Sequence, residues 1–351
     1  MAKVKLLETT IRDGSYAIDF SFTSTDVAII CSHLEEAGFE YIEIGHGVGL
    51  NASNSGYGKA AQTDEEYMIA AEKSLKTSKY GMFCIPGIAR LEDIDLAKEH
   101  NMGFIRVGTN ITEIEKSEPF IKKAKELGMF VMANYMKSYA LGPEDFAERV
   151  KLSESYGADV VYLVDSSGGM FAKDIKKYYD AIREVSNIPL GFHGHDNLGM
   201  AICNSIECAE IGFDFVDCSL QGLGRSAGNA ATEILVAAML KQGYEIRIDL
   251  IKTLNIGHKY VQPLVNTRGK AVLDVVSGYA DFHSSFMGYI QKYSNMYSID
   301  PVRLIIEICR INKVNIDEKI LDRVARTVQR ENIYLGRYNF NQYLGGFQDG
   351  K

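Results

Sequence analysis

Five times in its first 220 residues the chain places a glycine between a charged stretch of helical period and a short run of apolar and β-branched residues. Gly38 precedes FEYIEIG, Gly103 FIRVGT, Gly128 MFVMANY, Gly157 ADVVYLVD and Gly212 FDFVDCSL. Glycine suits this position because helices commonly end on a left-handed residue. The intervals of 65, 25, 29 and 55 residues fit a repeat of roughly 25 to 32 if the first and last each hold one further unit. KYGMFCIPG and NIPLGFHGH supply the strands of those units. Strands are thus predicted at 3–9, 40–46, 80–85, 103–108, 129–135, 159–165, 189–194 and 214–219. Eight such units predict an α/β protein with a TIM (β/α)8 barrel, whose catalytic groups lie at the carboxyl ends of the strands. An open doubly wound sheet would gather polar loop text at one switch point. Here TTIRDG, GHGVG, VGTN, VDSSGG, HGHDN and QGLGRS spread it along the series, as a ring would.

After residue 245 the alternation stops, and helices are predicted at 250–262, 282–297, 301–312 and 316–331. The expected organisation is a catalytic barrel over 1–248 and a helical extension over 249–351. Its last segment, NIYLGRYNFNQYLGGFQDG, has no helical period and is expected to pack on the surface or on a neighbour. A net charge of −8 repels phosphate backbones and anionic membranes, so nucleic-acid binding is not expected. The longest wholly apolar runs, such as ILVAAML at 234–240, fall far short of the ~20 residues a bilayer span needs. The amino terminus lacks the pattern of a secretory signal. Six cysteines without a CxxC pair read as reduced, mostly buried thiols, and a cytoplasmic location is expected.

The strongest chemical signal is His193 and His195, which strand alternation points to one side. An isolated HxH is as readily a pair of hydrogen-bonding histidines as a metal site. Asp13, at the end of the first strand, shifts the reading, because strands 1 and 7 of a closed barrel can aim at one central point. Two nitrogens and a carboxylate suit Mn, Fe, Co or Zn. Arg12 beside Asp13 would meet an anion or a developing oxyanion, the alternative being a structural ion pair with Glu43. Ser166 and the amides after it could hold a carboxylate; a simple turn former is an equal local reading. His46 closes strand 2 and is a candidate for the mouth, whereas His33, His100 and His258 fall on predicted helices. GLGRSA at 222–227, with Glu245 about twenty residues on, matches a dinucleotide pattern. As the eighth unit of a barrel it reads better as a glycine-lined part of the mouth.

The motifs TTIRDGSYAI, YIEIGHGVGL, PGI at 86–88, VYLVDSSGGM, GFHGHDNLGM, GLGRSAGNAATE and GYADFHSSF occur in this order. In them the chain resembles the metal-dependent 4-hydroxy-2-oxovalerate aldolases, within the metallolyase barrels that include isopropylmalate synthase and hydroxymethylglutaryl-CoA lyase. The resemblance implies a lyase using a divalent metal, foremost Mn2+ with Mg2+, Co2+ or Zn2+ as alternatives, on pyruvate and an aldehyde. It implies Asp13, His193 and His195 as metal ligands and Asn229 as a weaker fourth, Arg12 as enolate stabiliser and Ser166 as a pyruvate-carboxylate contact. Two residue types are exchanged relative to the family. Tyr16 stands where the aldolases carry a histidine base, and His283 where they carry a tyrosine. The expectation is a neutral phenol donor at Tyr16 and a base at His283, the alternative being that His283 only caps or packs its helix. A homo-oligomer is expected. The family's aldehyde dehydrogenase partner docks through a GQED-like stretch that here reads NIDE at 315–318, which weakens that expectation. The competing readings are a Claisen-type acyl-CoA enzyme and a non-catalytic assembly subunit on the same barrel.

Overall fold

All eight predicted strands form in the computed structural model, which describes residues 4–265, 272–328, 330, 338 and 340. They are β1 (Lys5–Glu8), β2 (Tyr41–Ile44), β3 (Lys79–Cys84), β4 (Phe104–Asn110), β5 (Phe130–Met136), β6 (Val160–Asp165), β7 (Leu190–Gly194) and β8 (Phe215–Cys218). Sequence neighbours pair in parallel, and β8 pairs with β1 to close the barrel. The helices α1 (Ser24–Ala37), α2 (Asp64–Ser74), α3 (Leu91–Glu99), α4 (Glu118–Glu126), α5 (Pro143–Tyr156), α6 (Ala172–Val185), α7 (Ala201–Ile211) and α8 (Thr232–Lys241) alternate with them.

The first unit shows how the local sequence encodes this. Thr23 and Asp26 form a reciprocal capping box at the start of α1. Val27, Ile30, Cys31, Leu34 and Ala37 then recur at helical spacing and are buried. A fully buried side chain of the size of Val, Ile or Leu is worth about 1.5–3 kcal/mol. Gly38 ends the helix at φ +100, where a Cβ would lie 2.2 Å from the Arg247 carbonyl oxygen, so conformation and space both require glycine. The fourth unit departs from the predicted pattern. Asn101 takes the left-handed position after α3, and Gly103 instead admits the close approach of Lys79.

The barrel interior is layered. At the amino-terminal end Tyr41, Phe104, Val160 and Phe215 belong to one buried apolar cluster with Leu7 and Met132. Two residues further along the same even-numbered strands stand Glu43, Arg106, Tyr162 and Asp217, the four-residue layer that alternate strands supply in such barrels. Arg106 is completely buried, donating from Nη1 to Glu43 Oε2 (2.8 Å) and from Nη2 to Asp217 Oδ2 (2.6 Å). Its guanidinium carbon lies 4.4 Å from the Tyr162 ring centroid. Burial opposes the charge, yet Asp217 and Glu43 hold the guanidinium pKa above its usual value.

Beyond the barrel, the predicted helix 250–262 forms in three pieces: α9 (Leu250–Ile256), a π turn Gly257–Val261 and a 3-10 turn Gln262–Leu264. The break comes just before Pro263, which lacks the amide a continuing helix needs. α10 (Val272–Ala280) was not predicted, since Val272, Val275, Val276 and Gly278 are poor helix formers. Tertiary packing overrides that propensity. Leu273 and Val276 enter a second apolar cluster with residues of α11 (Met287–Tyr297), α12 (Pro301–Ile311) and α13 (Glu318–Ala325). At Gly278 a Cβ would lie 2.9–3.0 Å from Leu198 and Asn197, so α10 presses directly on the loop after β7. The predicted last helix ends early, at Ala325, and its final residue 331 lies outside the described residues. Of the irregular tail only Tyr338 and Phe340 are described, and Phe340 is buried in the second cluster. Among the described residues no helix is long and apolar enough to cross a membrane.

Arg106→Met would leave two buried carboxylates without their shared cation. Breaking a buried pair in this way costs about 3–5 kcal/mol, so urea unfolding should show a large loss of stability. Replacing Glu43, Arg106 and Asp217 together by apolar residues of similar volume should recover most of it. Equal stability of Arg106→Met and the wild type would show that this layer is hydrated rather than dry.

Candidate metal centre at the carboxyl end of the barrel

Asp13 follows β1 after a turn in which its amide donates to the Thr9 carbonyl (2.8 Å). His193 lies on β7 and His195 just beyond it, and alternation turns both rings toward Asp13. One ligand atom from each of the three lies within 4.8 Å of the others, and all three residues are buried. Among the described residues this is the one such group of His, Cys, Asp or Glu.

Each imidazole is oriented through Nδ1. His193 Nδ1 is 2.8 Å from Asp217 Oδ2, and His195 Nδ1 is 3.3 Å from the Gly228 carbonyl. Both partners are acceptors, so Nδ1 carries the proton and Nε2 keeps its lone pair, the arrangement that suits a metal-binding histidine. Burial lowers the His195 pKa to about 4 against the opposing pull of Asp13, so its ring is neutral at pH 7. Burial by itself would raise the Asp13 pKa, but Arg12, the two histidines and Asn229 hold it well below the usual carboxylate range.

A fourth donor stands beside them. Asn229 pairs with His195 through a β-bridge and donates from Nδ2 to Asp13 Oδ2 (2.7 Å). Its Oδ1 is buried and, among the described residues, has no hydrogen-bond partner. An acceptor oxygen left so beside a carboxylate and two imidazoles fits a cation, so these residues could hold a divalent metal. GLGRSA forms part of this site: a Cβ at Gly224 would lie 2.4 Å from Asn229 Nδ2 and 2.8 Å from Asp13 Oδ2.

Arg12 forms the ion pair with Glu43 considered for it and also holds Asp13. Its Nη1 donates to Asp13 Oδ1 (2.6 Å) and its Nε to Glu43 Oε2 (2.8 Å), leaving Nη2 for a ligand. Half-buried Tyr16 interacts with Arg225, whose guanidinium carbon lies 5.1 Å from the Tyr16 ring centroid. Burial raises the phenol pKa, so Tyr16 is neutral and able to donate. His283 caps a 3-10 turn, its Nδ1 lying 2.7 Å from Ser285 Oγ and accepting from the Ser285 amide (3.2 Å). Burial, with Arg225, Lys137 and His195 nearby, pushes its pKa well below 6.5.

Ser166 Oγ accepts from the Lys137 amide (2.8 Å) and keeps its own proton to donate. The amides of Gly169 and Met170 are taken by the Asp165 carboxylate and that of Gly168 by its carbonyl, so these do not serve the carboxylate nest considered for this loop. His46 is satisfied by backbone on both sides. Its Nδ1 accepts from the Val48 amide, its Nε2 donates to the Gly58 carbonyl, and its ring stacks on Phe20. It shapes the wall beside Tyr16. His33, His100 and His258 pair with surface groups away from the cluster. Sequence reasoning missed Arg106, Asp217, Lys137 and Arg225. For the first two the signal was present, as a charge at the inward register of an apolar strand.

The chain matches the family model described as HMGL-like over residues 3–259. It is 38% identical over 333 residues to a 4-hydroxy-2-oxovalerate aldolase of Carboxydothermus hydrogenoformans, covering 94% of this chain and 98% of the relative. Among solved structures, an N-terminal domain from Bacteroides vulgatus superposes with a TM-score of 0.69 at 27% identity, over 80% of this chain and 94% of that one. The carboxyl transferase domain of Rhizobium etli pyruvate carboxylase shares the fold at a TM-score of 0.76 and 15% identity, over 93% of this chain and 61% of that one. Strand order, site placement and a match running through barrel and extension agree: the chain belongs to the HMGL-like family, among relatives of the 4-hydroxy-2-oxovalerate aldolases.

Proposed function

We propose that this protein is a divalent-metal-dependent pyruvate aldolase, cleaving or forming a 4-hydroxy-2-oxo acid. The observation that carries the reading is the buried group of Asp13, His193 and His195 with the unused Asn229 oxygen beside it. Its relatives' name, 4-hydroxy-2-oxovalerate aldolase, supports the substrate class. Asp13, His193 and His195, with Asn229 as a fourth donor, would hold the metal, for which we propose Mn2+. When bound, such an ion supplies Lewis acidity toward the oxygens of a 2-oxo acid.

The chain's own groups account for the rest. Arg12, fixed by Asp13 and Glu43, offers Nη2 where negative charge gathers on the enolate oxygen. Ser166 donates its hydroxyl proton to the substrate carboxylate. In the cleavage direction His283 takes the proton of the 4-hydroxyl group at Nε2, the C3–C4 bond breaks, and the aldehyde leaves as its electron pair passes to the pyruvate enolate. This role requires the tautomer that carries its proton on Nδ1 and donates it to Ser285 Oγ, 2.7 Å away, in place of the bond accepted from the Ser285 amide. Tyr16 donates a hydrogen bond rather than accepting a proton, because its raised pKa keeps the phenol neutral. The proton that His283 took is then delivered to the enolate at C3, directly or through solvent, which yields pyruvate and restores the neutral imidazole.

Pyruvate in deuterium oxide should exchange its methyl protons with metal-loaded protein, as NMR will show. Arg12→Ala should slow this exchange about 10²- to 10³-fold. Absence of exchange in the loaded wild type would overturn the reading.

His283→Ala should reduce cleavage far more than Tyr16→Phe. His283 acts as a base only when neutral, and its pKa is lowered, so activity at saturating metal is kept at pH 6.5 and falls as the pH drops further. That limb should vanish from the residual activity of His283→Ala. A near-normal His283→Ala beside an inactive Tyr16→Phe would assign the base to the strand 1 side instead.

A further inference from the structure

Lys137 immediately follows β5, at the mouth of the barrel, and only 5% of it is exposed. Its backbone is left-handed, at φ +58, a conformation that lysine rarely adopts. Its ammonium donates to the Val314 carbonyl (2.8 Å) and lies 4.9 Å from the Phe286 ring centroid. Among the described residues no carboxylate lies within 4.0 Å of it, although buried lysines are ordinarily paired. Burial, reinforced by Arg225 and opposed by Glu113, lowers its pKa to about 8. It is still mostly charged at pH 7.

A second buried cation is close by. Arg225, 8% exposed, donates from Nε to Ser284 Oγ (2.8 Å), and its amide points at Asp13 Oδ2 (3.3 Å). Each of these cations acts electrostatically on His283, as does His195. Arg225 reaches Ser284 and Lys137 reaches Phe286, so both positive groups meet the short turn that His283 caps.

We propose that Lys137 and Arg225 bind an anionic group, carboxylate or phosphate, on the aldehyde half of the substrate. This rests on the pyruvate aldolase reading. The pyruvate half has its own partners in Arg12, Ser166 and the ligand cluster. The Lys137 ammonium instead meets Val314 and Phe286 of the extension. Two like charges in a buried place repel one another, and a bound anion offsets that repulsion and gives Lys137 a close anionic partner.

The test compares condensation of pyruvate with succinate semialdehyde and glyceraldehyde 3-phosphate against propanal and glyceraldehyde. The wild type should favour at least one anionic aldehyde over its neutral counterpart by 30-fold or more in kcat/KM, and Lys137→Met should collapse that ratio, chiefly through the aldehyde KM. Equal use of both classes by a wild type that exchanges pyruvate protons would overturn this proposal and leave the aldolase reading standing. A rise in the pyruvate KM of Lys137→Met, with propanal as acceptor, would overturn it by assigning the cation to the pyruvate carboxylate. Borohydride trapping of pyruvate on Lys137 would do so by showing a nucleophile there. Calorimetric titration with inorganic phosphate needs no turnover. The wild type should bind it and Lys137→Met should bind it at least 10-fold more weakly, whereas identical titrations would count against the site even if the protein proves not to be an aldolase.

Discussion

The site depends on an unbroken run of buried ion pairs, closed by one histidine–carboxylate hydrogen bond, through the upper half of the barrel. Asp13 is held by Arg12, Arg12 by Glu43, Glu43 by Arg106, Arg106 by Asp217, and Asp217 by His193, at 2.6–2.8 Å throughout. It begins and ends on candidate metal ligands. Burying several charges this way brings little net stability, because desolvation offsets most of the attraction. What it provides is position. Each carboxylate or guanidinium fixes the next, so strands 1, 2, 4, 7 and 8 are tied together at the level where the side chains converge. Asp217 also decides which imidazole nitrogen of His193 faces Asp13.

The helical extension completes what the barrel begins. α10 seats on the loop after β7, the following turn brings His283 and Ser284 over the strand ends, and the segment before α13 supplies the Val314 carbonyl to Lys137. The extension has its own apolar cluster, so these groups are presented by a packed unit rather than by an isolated loop. The mouth is thereby divided. The ligand cluster and Arg12 stand on the strand side, Lys137 and His283 meet the extension, and Arg225 spans the two, from Asp13 to Ser284. Such a division suits a reaction that joins or separates two unlike halves.

The barrel could be read from the sequence because its signal is local and repeated. Each strand is a short apolar run, and a glycine close in sequence precedes most of them. His193 and His195 were legible for the same reason, since alternation alone sets their common direction. α10 was not, because its valines and Gly278 oppose a helix and only contacts with distant residues form it. The convergence of Lys137, Arg225 and His283 was also hidden: they lie far apart in sequence, and no spacing rule says how an extension will lie across a barrel. For Arg12, the sequence posed a choice between an ion pair with Glu43 and a ligand-facing group. The guanidinium has enough donors to do both.

The central claim is that strand ends 1 and 7 create a single divalent-metal site, and a cobalt titration tests it most directly. Protein freed of metal should bind one Co2+ per chain and develop the visible d–d absorption of a mixed nitrogen and oxygen ligand set. His193→Ala combined with His195→Ala should abolish both the saturable binding and the spectrum while leaving the fold intact by circular dichroism. Saturable one-to-one binding with an unchanged spectrum in that double variant would contradict the account.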